Sequence, residues 1–170
     1  MTLSRPAGPQ SSPEDRFRAV FSTHYPAVFG YAARRLGRDE AADAAAEVFT
    51  VAWRRLSALP AEPETLPWLY GVARRVVANA ARSKRRRERL AARAAALADP
   101  PTAGSADDLQ PAFERLSEKD REVLRLAAWE GLDPRQMAAV LGCSPNAAAV
   151  RLHRARRRLE AALEPSRGER

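Results

Sequence analysis

Apolar side chains recur at helical spacing along most of the chain, and prolines fall between the periodic segments. From Glu14 to Leu36 the positions Phe17, Val20, Phe21, Val28, Tyr31, Ala32 and Leu36 keep a three-to-four-residue rhythm, as an amphipathic helix does. Pro26 lies inside this run and predicts a break or kink, because proline lacks an amide hydrogen and its ring crowds the preceding turn. Asp39 predicts the start of a second helix with Ala42, Ala45, Phe49, Ala52, Trp53 and Leu56 as its buried stripe. The segment LPAEPETLP carries three prolines and predicts a loop. Pro67 suits the first turn of a long third helix, whose inner face is Trp68, Leu69, Val72, Ala73, Val76, Val77 and Ala80. No stretch alternates with period two, so the pattern predicts an all-α fold.

Local signals are sharper in the second half. Ser117, with Asp120 three residues on, predicts an N-cap for a helix carrying Val123, Leu124, Leu126, Ala127 and Ala128 and ending at Gly131. Asp133-Pro134 predicts a further start, with Met137, Ala138 and Leu141 inward and Gly142 in the turn. Ser144-Pro145 then caps a last helix running to about Leu163. Two helices joined by a short glycine-containing turn, the second one basic, match the helix-turn-helix arrangement that reads DNA.

Charge changes the picture. The 170 residues carry a net charge of +8, with a sequence pI near 10.8, which points to a polyanionic partner. The excess is local. Between Gly71 and Ala98 nine basic residues face one acid, whereas Asp99 to Glu122 holds seven acids against three bases. The start of the second segment, DPPTAGSADDLQP, has linker composition. The expected layout is therefore a disordered tail at 1–13, a helical domain at 14–94, an acidic, proline-rich linker at 95–110, a helix-turn-helix domain at 111–164 and a tail at 165–170.

Several functions are set aside on composition. No apolar stretch approaches the ~20 residues of a membrane helix, so membrane insertion is not expected. Residues 1–13 lack the apolar core of a secretory signal. Cys143 is the sole cysteine and, with His24 and His153, offers no metal-ligand cluster. The expectation is a cytoplasmic protein without metal or cofactor. Catalysis has no support either, since the sequence has no phosphate loop, nucleophile elbow or zinc-protease motif. Asp39, Glu40, Asp43 and Glu47 suit a helix start electrostatically and leave an acid-edged outer face as an interaction surface.

Two constellations carry binding chemistry. In the last helix Arg151, Arg154 and Arg158 share a face, and guanidinium forks match phosphates and guanine edges. Val150 and Leu152 are left for packing. In the third helix Trp68, Tyr70, Arg74, Arg75, Asn79 and Arg82 mix aromatics with cations, as proteins do that stack single-stranded bases and follow their phosphates. A solvated arginine-rich surface and a core role for Trp68 are the plain alternatives.

Taken in order, DAAAEVFTVAWRRL, PWLYGVARRVVANAARSKRR and LSEKDREVLRLAAWEGLDPRQMAAVLGCSPNAAAVRLHRARRRL resemble a bacterial RNA polymerase sigma factor of the extracytoplasmic-function type, over about Arg16 to Leu163. The resemblance implies two helical domains, region 2 and region 4, that bind core RNA polymerase, direct it to promoters and help open the duplex. It implies that the helix matching Asp43–Leu56 docks on the polymerase, with Asp43, Glu47, Phe49 and Arg54 as candidate residues and Phe49 expected to be buried. It implies that the loop and helix matching Pro60–Arg87 take the minus-ten element as single strand with a flipped base, through Trp68, Tyr70, Arg74, Arg75, Asn79 and Arg82. The last helix would enter the major groove of the minus-thirty-five element through Ser144, Asn146, Arg151, Arg154 and Arg158. An anti-sigma factor is a further candidate partner.

Departures from the family pattern are specific. Ala46 stands where glutamine is usual, Arg75 where asparagine commonly follows the first arginine, and Asn146-Ala147-Ala148-Ala149-Val150 replaces a Gly-Thr-Val-rich start of the recognition helix. Methyl groups there can meet thymine methyls but form no hydrogen bonds. The competing readings are a stand-alone helix-turn-helix regulator binding DNA without polymerase, and a helical enzyme acting on nucleic acid.

Overall fold

The computed structural model describes residues 12–94 and 109–163. It contains α1 (Pro13–Leu36), α2 (Arg38–Arg54), a 3-10 turn at Leu56–Ala58, α3 (Thr65–Ala94), α4 (Leu109–Glu114), α5 (Glu118–Ala128), α6 (Pro134–Leu141) and α7 (Pro145–Leu163). No strand occurs among the described residues. Most of the expected tail at 1–13, the expected linker up to residue 108 and the final tail lie outside them.

Helices α1, α2 and α3 pack into one bundle. Val28, Tyr31, Ala32 and Leu36 of α1 meet Ala41, Ala44, Ala45, Val48, Phe49 and Ala52 of α2, with Leu69, Ala73 and Val76 of α3 closing the core. Alanine on the contact face of α2 allows close helix approach. A single residue joins α1 to α2: Gly37 sits at φ +91°, a backbone conformation that side chains with a Cβ disfavour.

Three expectations are corrected here. α1 runs unbroken through Pro26, whose residue is exposed. The lost hydrogen bond is outweighed because α1 is held along its length by α2 and α3. α2 begins at Arg38, before Asp39, and its buried row is Ala41, Ala44, Ala45, Val48, Phe49 and Ala52, leaving Ala42 and Trp53 exposed. In a run of alanines composition gives no register; packing against two partner helices decides it. At the edges, Ser12 caps α1 by accepting from the Asp15 amide at 3.1 Å, so Pro13 is helical. Leu109 and Gln110 likewise belong to α4, where Ala112 is buried and Phe113 packs 6.3 Å from Trp129.

The second bundle follows its caps closely. Ser117 Oγ accepts from the Asp120 amide. Asp133 and Gln136 form a reciprocal capping box, and Gly142, at φ +66°, ends α6 in the left-handed conformation. Ser144 Oγ accepts from Ala147 N and starts α7. Leu126, Met137, Ala148 and Ala155 are fully buried between these helices, and Leu152 packs with them as expected. Val150 is 39% exposed, contrary to the packing role expected for it, because Ala148, Leu152 and Ala155 occupy the inward face of α7.

The bundles meet where α6 packs on α3. Gly71 lies at this join: a Cβ added there would meet the Ala139 carbonyl oxygen at 3.6 Å and Val140 Cα at 3.8 Å, ordinary contact that an alanine could also make.

Candidate nucleic-acid interface

About three turns of α3 present Arg74, Arg75, Asn79, Arg82 and Arg85 outward, while Leu69, Ala73, Val76 and Val77 face in. This basic row lines one wall of a groove of about 900 Å³. Glu118, Lys119, Arg121, Glu122 and Arg125 of α5 form the other wall, and Tyr31 and Arg35 lie at its base. A second groove of about 350 Å³ joins Arg74 to Lys119, Arg151, Arg154 and Arg158. Arg74 thus borders both grooves and brings the α3 cations beside those of α7.

Between the two bundles runs a buried ionic network. Arg35 donates from Nε to Glu122 Oε2 at 2.9 Å and from Nη1 to Glu130 Oε1 at 3.0 Å. Tyr31 Oη donates to Glu122 Oε1 at 2.7 Å, and Arg34 pairs with Glu130. The side chains of Arg35, Glu122 and Glu130 are 5%, 12% and 1% exposed. The Arg35 guanidinium also lies 3.5 Å from the Tyr31 ring centroid. Burial alone would lower the Arg35 pKa, but its interactions with Tyr31, Glu122 and Glu130 outweigh that and raise it. Burial, then the Glu122 charge, pushes the Tyr31 hydroxyl far up, and burial with the Glu130 charge takes Tyr70 to about 12. Arg125 is lowered by burial and by the like charge of Arg35.

The expected contact residues are placed unevenly. Arg74, Arg75, Asn79 and Arg82 are exposed on one face, with Arg82 bonded to Asn79. Trp68 is half-buried against the core. Tyr70 is only 3% exposed and stacks on Tyr31 at 5.2 Å, so here it offers no face to a base; its place is the core. On α7, Asn146, Arg151 and Arg154 are exposed, and neither arginine has an ion-pair partner among the described residues. Ser144 is exposed but occupied as a cap. Arg158 Nη1 bonds both oxygens of Asp120 at 2.8 and 2.9 Å, which ties it to α5. On α2, Asp43, Glu47 and Arg54 are exposed along one face. Phe49 is 2% exposed, edge-on to Phe21 at 4.8 Å, and so supports that region from within.

Sequence reasoning missed Tyr31, Arg34, Arg35, Glu122 and Glu130 as a group. The arginine pair in the last turn of α1 looks like a simple complement to the helix dipole. Its partners lie 87 to 96 residues away, beyond any local pattern.

A basic α3 face, a capped helix-turn-helix with a basic second helix, and an all-helical pair of bundles define a nucleic-acid-binding protein. Comparison with known proteins narrows the class. Residues 20–87 match the family Sigma-70 region 2, and residues 106–159 match Sigma-70, region 4. The chain is 31% identical over 161 residues to the RNA polymerase sigma factor CarQ of Myxococcus xanthus, covering 88% of this chain and 90% of that protein. It is 38% identical over 134 residues to a protein of Xanthomonas campestris pv. campestris named "Probable RNA polymerase sigma factor RfaY"; that match covers 70% of this chain and only 33% of the relative. Among solved structures, the sigma factor RpoE in complex with the anti-sigma factor NepR, from Bartonella quintana, is similar with a TM-score of 0.63 and 25% identity, over 91% of this chain and 98% of that one. CnrH in complex with the cytosolic domain of CnrY shares the fold, with a TM-score of 0.60 and 24% identity over 88% of each chain. The chain belongs to the sigma-70 family of RNA polymerase sigma factors, in its extracytoplasmic-function type.

Proposed function

We propose that this protein is a dissociable subunit that brings core RNA polymerase to promoters, with α3 and the loop before it taking the melted minus-ten strand and α7 entering the duplex at the minus-thirty-five element. The observation that carries the reading is the outward face of α7: Asn146, Arg151 and Arg154 stand exposed on a helix fixed by the Ser144 cap and buried Ala148, Leu152 and Ala155. Arginine there can fork to guanine or to phosphates. Val150 and the neighbouring alanines provide an apolar surface for thymine methyls.

On α3, Arg74, Arg75, Asn79 and Arg82 follow the backbone of the single strand, with Trp68 at the edge of the row. Asp43, Glu47 and Arg54 on α2 meet the polymerase. The protein contributes binding and positioning and no bond-making chemistry. It works in the cytoplasm, where polymerase and DNA are, and no described helix is long and apolar enough to cross a membrane. An anti-sigma factor is a partner by analogy with the RpoE–NepR pair.

The test is fluorescence anisotropy of labelled upstream DNA, with core polymerase, this protein and both together. Specific binding only in the combined sample fits the proposal. Tight binding of a two-fold-symmetric site by the protein alone would replace it with the stand-alone regulator.

A further inference from the structure

The loop between α2 and α3 is held by side chains of α1, a helix given no part so far in promoter contact. Arg16 donates from Nη1 to the Leu56 carbonyl at 3.0 Å and from Nη2 to the Leu59 carbonyl at 2.6 Å. One guanidinium therefore bonds the first residue of the 3-10 turn and the residue that follows it. Its two N–H groups match carbonyls three residues apart, a geometry that a single ammonium cannot reproduce. Eight residues along α1, His24 bonds through Nε2 to Glu62 Oε1 at 2.7 Å. The His24 side chain is 8% exposed while that of Glu62 is 61% exposed, so a fixed group inside the bundle holds a carboxylate at the loop's outer edge. Leu59, 3% exposed, anchors the same stretch, and Thr65 Oγ1 donates to the Pro60 carbonyl at 2.9 Å where the chain enters α3.

We infer that Arg16 and His24 are positioning residues for promoter recognition: they hold residues 56–64 in the shape that presents the loop to the melted minus-ten strand. The inference rests on the proposed reading of that loop and α3. Neither side chain need touch DNA. Their effect is to order the loop before the strand arrives, so that binding does not have to supply that ordering. Two charge-assisted bonds from one guanidinium favour the loop conformation that satisfies both carbonyls.

The experiment uses holoenzyme assembled from core polymerase and the full chain, and a pool of fork-junction DNA whose single strand is randomised across the minus-ten positions. Bound molecules are sequenced for wild type, Arg16→Ala, Arg16→Lys and Glu62→Ala, and affinity for core polymerase is measured beside them. Glu62 is exposed, so its substitution reports on the loop without threatening the fold. The expected result is that Arg16→Ala and Glu62→Ala flatten base preference at the same positions, lowering the best-to-worst ratio by on the order of tenfold. Arg16→Lys, able to reach one carbonyl, falls between, and affinity for core polymerase stays at the wild-type level.

Two results overturn the inference. In one, Arg16→Ala selects the same bases as wild type. In the other, the variants lose polymerase binding and all base preferences together, as a general folding defect would. A wild-type holoenzyme that selects no bases at all removes the underlying reading of the loop, a failure distinct from wild-type selection that Arg16→Ala leaves untouched.

Discussion

Replacing Glu122 with alanine tests the join between the two bundles. Glu122 accepts two hydrogen bonds from Arg35, at 2.9 and 3.2 Å, and one from Tyr31 at 2.7 Å. An ion pair at about 4 Å is worth roughly 4 kcal/mol at an effective dielectric of 20, before desolvation. Removing one partner of a buried pair typically costs about 3–5 kcal/mol, because the remaining charge stays out of water. Arg35 keeps Glu130 at 3.0 Å, which places the expected loss near the lower end, about 3 kcal/mol. The assay is denaturant unfolding of Glu122→Ala, Arg35→Met and the double variant, read as midpoint and slope. The double variant, with no buried charge orphaned on this pair, recovers most of the loss. A loss below about 1 kcal/mol for Glu122→Ala, or single losses that simply add in the double variant, would refute a coupled buried pair between the bundles.

Further predictions concern the same framework. Arg151→Ala weakens binding to a promoter duplex by about 1–3 kcal/mol at moderate salt, measured by anisotropy with holoenzyme; unchanged affinity removes Arg151 from the base-contact set. Tyr31 and Tyr70 both have raised folded-state pKa values. Their contribution is therefore complete below the unfolded value near 10 and is lost as pH rises toward the folded values, about 12 for Tyr70. Unfolding free energy measured against pH should decline above about pH 10, and Tyr70→Phe should shrink that decline. Gly71→Ala fits the space between α3 and α6 and gains helix propensity, so thermal melting should show stability unchanged or raised by up to about 1 kcal/mol; Gly71→Leu should lower it by forcing the helices apart. Asp133→Ala removes the capping box of α6 and should cost about 1 kcal/mol in the same assay.

Much of this architecture was legible because its punctuation is local. Ser117, Asp133 and Ser144 act through side chains that cap amides three residues on, and Gly142 through a left-handed backbone that bonds four residues back. Pro67 is equally direct, placed in the first turn of α3. What depends on distant partners was not legible. Pro26 reads as a break or a kink; no break occurs, because neighbouring helices hold α1. The alanines of α2 carry no register until two helices select a face. Tyr70 reads as a base platform beside Arg74, but the ring of Tyr31, 39 positions earlier, claims it for the core.

The same division runs through the candidate site. Arg74, Arg75, Asn79 and Arg82 on α3, and Arg151 and Arg154 on α7, follow from helical spacing and charge, and they are exposed as that spacing requires. Arg158 shares their spacing but is engaged by Asp120, which only the packing of α5 on α7 brings near. Arg16 and His24 gave no signal, since their work consists of bonds to a loop about forty residues away.

The central claim is tested most directly by run-off transcription with purified core polymerase on a library of upstream fragments from the source genome, with and without this protein. The account predicts initiation that depends on the protein, at start sites preceded by two shared elements at fixed spacing. A polymerase whose start sites are unchanged by the protein, while the protein alone shifts a palindromic fragment, would contradict it.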